Sequence, residues 1–182
     1  MGGIIMGITI RKATATDLDA VSGIYDRIHD EIEAGRASIG WIRGVYPTRA
    51  TAEASLSRGD LFVEELNSEV VGTAILNQTQ VDAYFGAPWE HDVPENEVMV
   101  LHTLVIDPSR KGAGLGQTFE AYYERYALDH GCRALRIDTN ARNTAARNFY
   151  RKLGYREIAI VPVTFNGIPG VDLVLLEKFL DA

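Results

Sequence analysis

Val98-Met-Val-Leu-His102-Thr-Leu-Val-Ile106, then Asp107-Pro108, then Arg110-Lys111-Gly112-Ala113-Gly114-Leu115-Gly116, is the stretch that decides the fold. Its first part is β-branched or apolar at nearly every position, the pattern of a central strand buried on both faces. Asp107-Pro108 ends that strand, since proline has no N–H to add to a ladder. Leu115, Phe119, Tyr122 and Tyr126 then recur on one face of a helix. His130-Gly131 closes it with a cation-capable residue and a glycine. Between strand and helix lies a glycine-rich turn. Glycines there let successive backbone N–H groups approach a ligand and point the same way, and the start of the helix adds a positive dipole end. With Arg110 and Lys111 beside it, the turn asks for a phosphate or diphosphate. It is not a Walker loop, because no Gly-Lys-[Ser/Thr] closes it. Nor is it the dinucleotide fingerprint, because its glycines run G-x-G-x-G. A tight strand-to-helix turn with no ligand is the plainer alternative.

Outward from this unit the chain alternates cleanly. Downstream, 134–139 reads as a short strand, and Asn143 can cap a helix carrying Ala146, Phe149, Tyr150 and Leu153, stopped by Gly154. Residues 155–163 and 171–176 read as the last two strands. Upstream, Ile8–Arg11 alternates as a first strand. Thr14 and Thr16 offer N-caps to a helix with Leu18, Val21, Ile24, Tyr25 and Ile28 on one face. Glycines and Pro47 break the pattern over 34–47, and a short helix follows at about 48–58, stopped by Gly59. Residues 61–66 and 70–76 form a hairpin turning at Asn67-Ser68. Residues 80–96 form a long surface loop, of the kind that often carries function. The order is β-α-α-β-β-β-α-β-α-β-β, an α/β fold with about seven strands, antiparallel early and crossed by helices later.

The bulk properties agree. The chain has 182 residues, 46% of them apolar and 24% charged, which suits one domain over 1–182, with 1–7 read as a disordered extension. Eighteen basic against 25 acidic residues leave a net charge of −7, which argues against nucleic acid or an anionic membrane as partner. The single cysteine, Cys132, cannot form an internal disulfide, and no Cys/His cluster has zinc spacing, so no metal is expected. No run approaches the ~18 apolar residues of a membrane span, and Met-Gly-Gly-Ile-Ile-Met lacks the basic region of a signal peptide. The expected localisation is cytoplasmic.

A second unit, Asn143-Thr-Ala-Ala146-Arg-Asn-Phe149-Tyr150-Arg-Lys-Leu153-Gly154-Tyr155, sharpens the reading. Together the two units resemble the GCN5-related N-acetyltransferase (GNAT) family. Lys111-x-x-Gly114-x-Gly116 is similar to that family's [Gln/Arg]-x-x-Gly-x-[Gly/Ala], with Lys in the first place. The second unit resembles its Asn-x-x-Ala-x-x-x-Tyr-x-x-x-Gly-Phe stretch, with Tyr155 for Phe. The resemblance implies a mixed, mostly antiparallel sheet with a central splay, and acetyl-CoA as cosubstrate. The diphosphate would sit on the amides of Lys111, Gly112, Ala113, Gly114, Leu115 and Gly116. The pantetheine arm would pair with the strand edge near Leu104 and Val105, where the strand splays from 134–139, and would bond Asn143. Such pairing satisfies the arm's amides without any particular side chain.

Acetyl transfer to an amine needs a neutral nucleophile, a donor for the oxyanion and a proton for the leaving thiolate. By the resemblance Tyr150 faces the coenzyme sulfur, and a phenol of pKa about 10 suits the acid. A backbone N–H near Leu104 or Val105 would meet the oxyanion. Leu101-His102-Thr103-Leu104 resembles the Leu-His-Ala-Leu stretch of arylalkylamine N-acetyltransferases, which makes His102 a candidate base. A histidine on an apolar strand also serves as a satisfied core group, and Glu97 is a second candidate base. Residues 35–47 and 80–96 are expected to wall the acceptor pocket, with Trp41, Tyr46, Tyr84, Phe85 and Trp89 as walls and Glu90, His91 and Asp92 at its mouth. The acceptor is then a small-molecule or peptide amine. A non-catalytic acyl-CoA sensor on the same scaffold is the alternative, and a homodimer through the last strands is left open.

Overall fold

The computed structural model describes residues 7–110 and 112–181. Residues 1–6 of the expected extension, and Lys111, lie outside the described residues. The elements are β1 (Ile8–Lys12), α1 (Leu18–Glu33), α2 (Arg49–Arg58), β2 (Leu61–Leu66), β3 (Glu69–Asn77), β4 (Val98–Ile106), α3 (Leu115–Asp129), β5 (Ala134–Asn140), α4 (Thr144–Lys152), β6 (Arg156–Phe165) and β7 (Ile168–Phe179). Their order is the one the sequence predicts. The strands form one sheet in the order β1-β2-β3-β4-β5-β7-β6. Every pairing is antiparallel except β4 with β5.

Local chemistry explains the elements. Thr14 caps a single 3-10 turn rather than α1 itself. Asp17 in that turn accepts from the Thr14 N–H at 2.7 Å and from Arg11 at 2.8 and 3.0 Å. α1 then buries Val21, Ile24, Tyr25 and His29 on one face. Gly59 ends α2 in the left-handed region at φ 77°. The last two strands are longer than the pattern predicted. They run on to meet across Asn166-Gly167, whose φ values of 53° and 78° make a two-residue type I′ turn. Asn-Gly is the dipeptide that tolerates two positive φ angles in succession. Among the described residues no helix is long and apolar enough to cross a membrane, and no three His, Cys, Asp or Glu side chains group as a metal site.

Three apolar clusters cover the sheet. α3 and α4 pack one face through Phe119, Tyr123 and Tyr150 against Met99, Leu101, Leu135 and Ile137. α1 and α2 pack the other face through Val21, Ile24 and Ala52 against Leu61, Val63, Ile75 and Val105. The chain between β3 and β4 covers Val98, Val100 and Leu173 through Tyr84. What positions the site is the middle of the sheet. β4 and β5 pair only through Val98–Ala134, Met99–Leu135 and Val100–Arg136. Beyond these the two strands part, β4 staying with β3 and β5 with β7. The buried Tyr123 hydroxyl marks the fork, donating to the Met99 carbonyl at 2.5 Å and lying 3.4 Å from that of Arg136.

Candidate active site

The gap between β4 and β5 begins just before a kink in β4. His102 stands opposite Ile75, and Val105 opposite Thr73, so β4 carries one residue more than β3 over this interval. Thr103 takes φ 52°, an outlier for a β-branched residue and a strain of about 1–3 kcal/mol. A bulge leaves main-chain groups outside the ladder, and this one does so at the gap. Beyond the bulge Leu104 packs toward α3 and α4, and Val105 toward α1. The Thr103 hydroxyl is hydrogen-bonded to the Tyr46 phenol. The chain before α2 is thereby tied to the kink.

A cavity of about 150 Å³ fills the gap. Its walls include Trp41 and Tyr46 before α2, Thr103 and Leu104 on β4, Asp138 on β5, and Tyr150 on α4. Phe165 and Ile168, flanking the β6–β7 turn, close the far side. Gly40 lies so near the end of β5 that a Cβ there would stand 2.4 Å from the Asn140 amide nitrogen. A second cleft of about 440 Å³ runs past Asp107, Pro108 and the start of α4. The two share Ile39 and Asn143 in their walls.

Asn143 caps α4 as predicted, its side-chain oxygen accepting from the Ala146 N–H at 3.1 Å. Its amide nitrogen is left to donate. Tyr150 is 7% exposed, packed edge-on against Phe149 and Tyr155, and its hydroxyl has no protein partner among the described residues. Burial first, then the nearby Glu120 and Asp138 carboxylates, push the Tyr150 phenol well above its ordinary pKa. It therefore stays protonated, as a proton donor must.

His102 also borders the cavity, but its ring is engaged. Its Nε2 lies 2.8 Å from the Asn77 side-chain oxygen, which also accepts from the Thr79 N–H at 3.0 Å. The Asn77 amide donates to Asp60 at 2.9 Å, which fixes which way Asn77 faces and makes Nε2 the donor. Burial lowers the His102 pKa to about 4. Glu97 lies in the 3-10 turn just before β4, away from the residues that line the cavity.

The glycine turn has the backbone that its sequence demands. Gly112 and Gly114 are left-handed at φ 84° and 71°, and α3 starts at Leu115 with no side-chain cap. The first amides of α3 are therefore unpaired within the helix. Leu115 is buried. Gly116 has a packing duty as well, because a Cβ there would come 3.3 Å from Phe149. Arg110 pairs with Glu69. Asp107 anchors the strand end, accepting from Arg27 at 3.1 and 2.8 Å and from the Ser109 N–H at 3.0 Å.

The segment between β3 and β4 does less at the cavity than its composition suggested. Of its residues only Val81 lines the cavity, and Tyr84 reaches it through Asp138. Trp89 and His91 are tied elsewhere. Arg136 lies over the Trp89 ring at 4.2 Å, and His91 bonds Glu177 at 2.9 Å while stacking on Phe179. Phe85 is 60% exposed. The residue that the sequence reading missed is Asp138. Tyr84 donates to its Oδ2 at 2.7 Å, and burial raises its pKa to about 6. The only available hint was a lone acid inside the strand 134–139.

Comparison with known proteins agrees with this architecture. The sequence model of the acetyltransferase (GNAT) family matches residues 27–155. An uncharacterized N-acetyltransferase of Methanocaldococcus jannaschii is 24% identical over 161 residues, 87% of this chain and 65% of the relative. The chain thus spans just under two thirds of that relative's length. The crystal structure of a GNAT-family acetyltransferase from Streptococcus agalactiae superposes with a TM-score of 0.80 at 23% identity, covering 97% of each chain. The structure of yncA from Salmonella typhimurium, determined with its cofactor acetyl-CoA, gives 0.65 at 22% identity, covering 96% of this chain and 94% of that one. At these identities the structural likeness is one of fold.

Proposed function

The chain belongs to the acetyltransferase (GNAT) family, and we propose that it transfers an acetyl group from acetyl-CoA to an amine by direct attack in a ternary complex. The observation that carries this reading is the cavity at the fork of β4 and β5, which combines, among the described residues, a Tyr150 hydroxyl with no protein partner, a bulged strand and a single carboxylate. The residues present suit acetyl-CoA. The amides of Gly112 to Gly116 would hold the diphosphate, with Lys111 adding charge. The β4 edge freed beyond Val100 would pair with the pantetheine arm, and the Asn143 amide would donate to it. Bound there, the thioester supplies an acyl group activated toward an amine.

The protein's own groups then divide the work. A main-chain N–H near Leu104 or Val105 would meet the oxyanion. Tyr150, kept protonated by burial, would give a proton to the leaving sulfur. Cys132, the sole cysteine, is buried and lies outside both motifs, so a covalent acetyl-cysteine step has no nucleophile at the cavity.

The test is a thermal-shift screen with acetyl-CoA, ATP and NAD, followed by thiol-release assays with a panel of primary amines. Stabilisation by acetyl-CoA alone, with amine-dependent thiol release, is the expected result. Tight binding with no turnover would favour an acyl-CoA sensor. Tyr150→Phe should lower kcat by about 10²-fold, the scale of a lost general acid, with the acetyl-CoA Kd within about twofold of the original. An unchanged kcat would remove Tyr150 from the chemistry.

A further inference from the structure

Among the described residues that line the cavity, Asp138 is the one carboxylate and none is Lys or Arg. It is half-buried, and Tyr84 engages only its Oδ2. Oδ1 has no protein partner among the described residues, and it is not among the sealed atoms that lack one. The other titratable groups around it are phenols and a neutral imidazole: Tyr84 from the β3–β4 segment, Tyr46 before α2, Tyr150 on α4 and His102 on β4. Arg136, two residues earlier on β5, is turned to Glu177 at 3.1 Å and to the Trp89 ring. A carboxylate partly withdrawn from water without a cation is costly. It is poised to take up a positively charged ligand.

We propose that Asp138 receives the ammonium group of the acceptor and takes its proton, which selects small primary amines with an apolar or aromatic body. This rests on the acetyl-transfer reading above. Trp41, Tyr46 and Phe165 supply aromatic walls that favour such a body and its cation. The cavity, at about 150 Å³, limits its size. One proton of R–NH₃⁺ passes to Asp138 and then to solvent, leaving R–NH₂. The nitrogen lone pair bonds to the acyl carbon. The C–S bond breaks with its electron pair on sulfur, and Tyr150 protonates the sulfur. The extra proton on the new amide nitrogen returns to the Tyr150 oxygen. The sum is an amide, a free thiol and one proton released.

Asp138 fits this role better than His102 does. Burial raises the carboxylate toward neutrality, to about 6, but lowers the imidazole to about 4, and the imidazole's Nε2 is already donating to Asn77.

The experiment is the pH dependence of kcat/KM for a panel of primary amines, 2-phenylethylamine and tyramine among them, read by thiol release with saturating acetyl-CoA. The wild-type profile should rise tenfold per pH unit below about 6 and then level, because Asp138 must be ionised. Asp138→Asn should lower kcat/KM at pH 7 by about 10²-fold and lose that limb, with acetyl-CoA affinity intact. The variant should instead keep improving toward the pKa of the free amine, which it must bind neutral. Tyr84→Phe should move the limb to higher pH, since the donated hydrogen bond holds the carboxylate down. That shift keeps the proposal open to test should Asp138→Asn fold poorly. A wild-type limb retained in Asp138→Asn, or abolished by His102→Gln, overturns the role of Asp138 and leaves acetyl transfer standing. Failure of every amine in a protein that binds acetyl-CoA overturns both.

Discussion

Asp138 and Glu64 are two carboxylates on the same sheet, both raised by burial, in opposite surroundings. Asp138 sits on β5 beside an opening, with one oxygen held by a phenol and the other available. Glu64 sits on β2 with no exposure, and neither oxygen has a hydrogen-bond partner among the described residues. It lies over Gly72, where a Cβ would come 3.0 Å from Glu64 Oε2 and 2.8 Å from Ile106 Cδ1. Burial alone raises Glu64 to about 7. A displaced pKa therefore does not by itself mark a functional group. What separates the two is a path for a ligand and a donor that aims one oxygen.

The largest expected effect tests that separation directly. Asp138→Asn should cost about 10²-fold in kcat/KM, whereas Glu64→Gln should leave kcat/KM within about twofold. Equal losses would dissolve the distinction. The next effect concerns stability and should have the reverse pattern. Glu64 has a folded pKa of about 7 against 4.5 for the free group. Between those values the unfolded chain ionises while the folded chain keeps its proton. Native stability therefore falls as pH rises through that window, and the penalty is complete above about 7. Glu64→Gln should gain up to about 3 kcal/mol at pH 8 and nothing at pH 4 in urea titrations. No gain at pH 8 would mean that Glu64 finds a partner in solution. Smaller still, Gly72→Ala should destabilise by about 1–3 kcal/mol through overpacking against Ile106, with kcat/KM unaffected. A loss of activity there would tie the Glu64 region to the site after all.

The same contrast runs through what could be read in advance. The turn at 112–116 was legible because its conformation is written locally. Gly112 and Gly114 occupy left-handed φ angles that other residues resist, and the helix periodicity begins immediately after them. Asn143 was legible as a cap for the same reason, since its oxygen needs only the N–H of Ala146. The segment between β3 and β4 was not. Its aromatic and acidic residues look like pocket walls, yet Trp89 and His91 are claimed by Arg136, Glu177 and Phe179, partners that no spacing along the chain reveals. His102 reads either as a base or as a satisfied core group until Asn77, 25 positions away, is found at its Nε2.

The amino-acid order by itself determined the succession of strands and helices, the glycine turn that starts α3, the caps, and through them the family to which the chain belongs. These rest on backbone preferences and on periodicities of a few residues. Only the tertiary structure decided where β4 parts from β5, that Thr103 is strained at the fork, and that Asp138 rather than a residue of the long loop brings negative charge to the cavity. Such features arise where elements distant in the chain compete for the same hydrogen bonds and the same space, and a carboxylate's chemistry depends on which of them surrounds it.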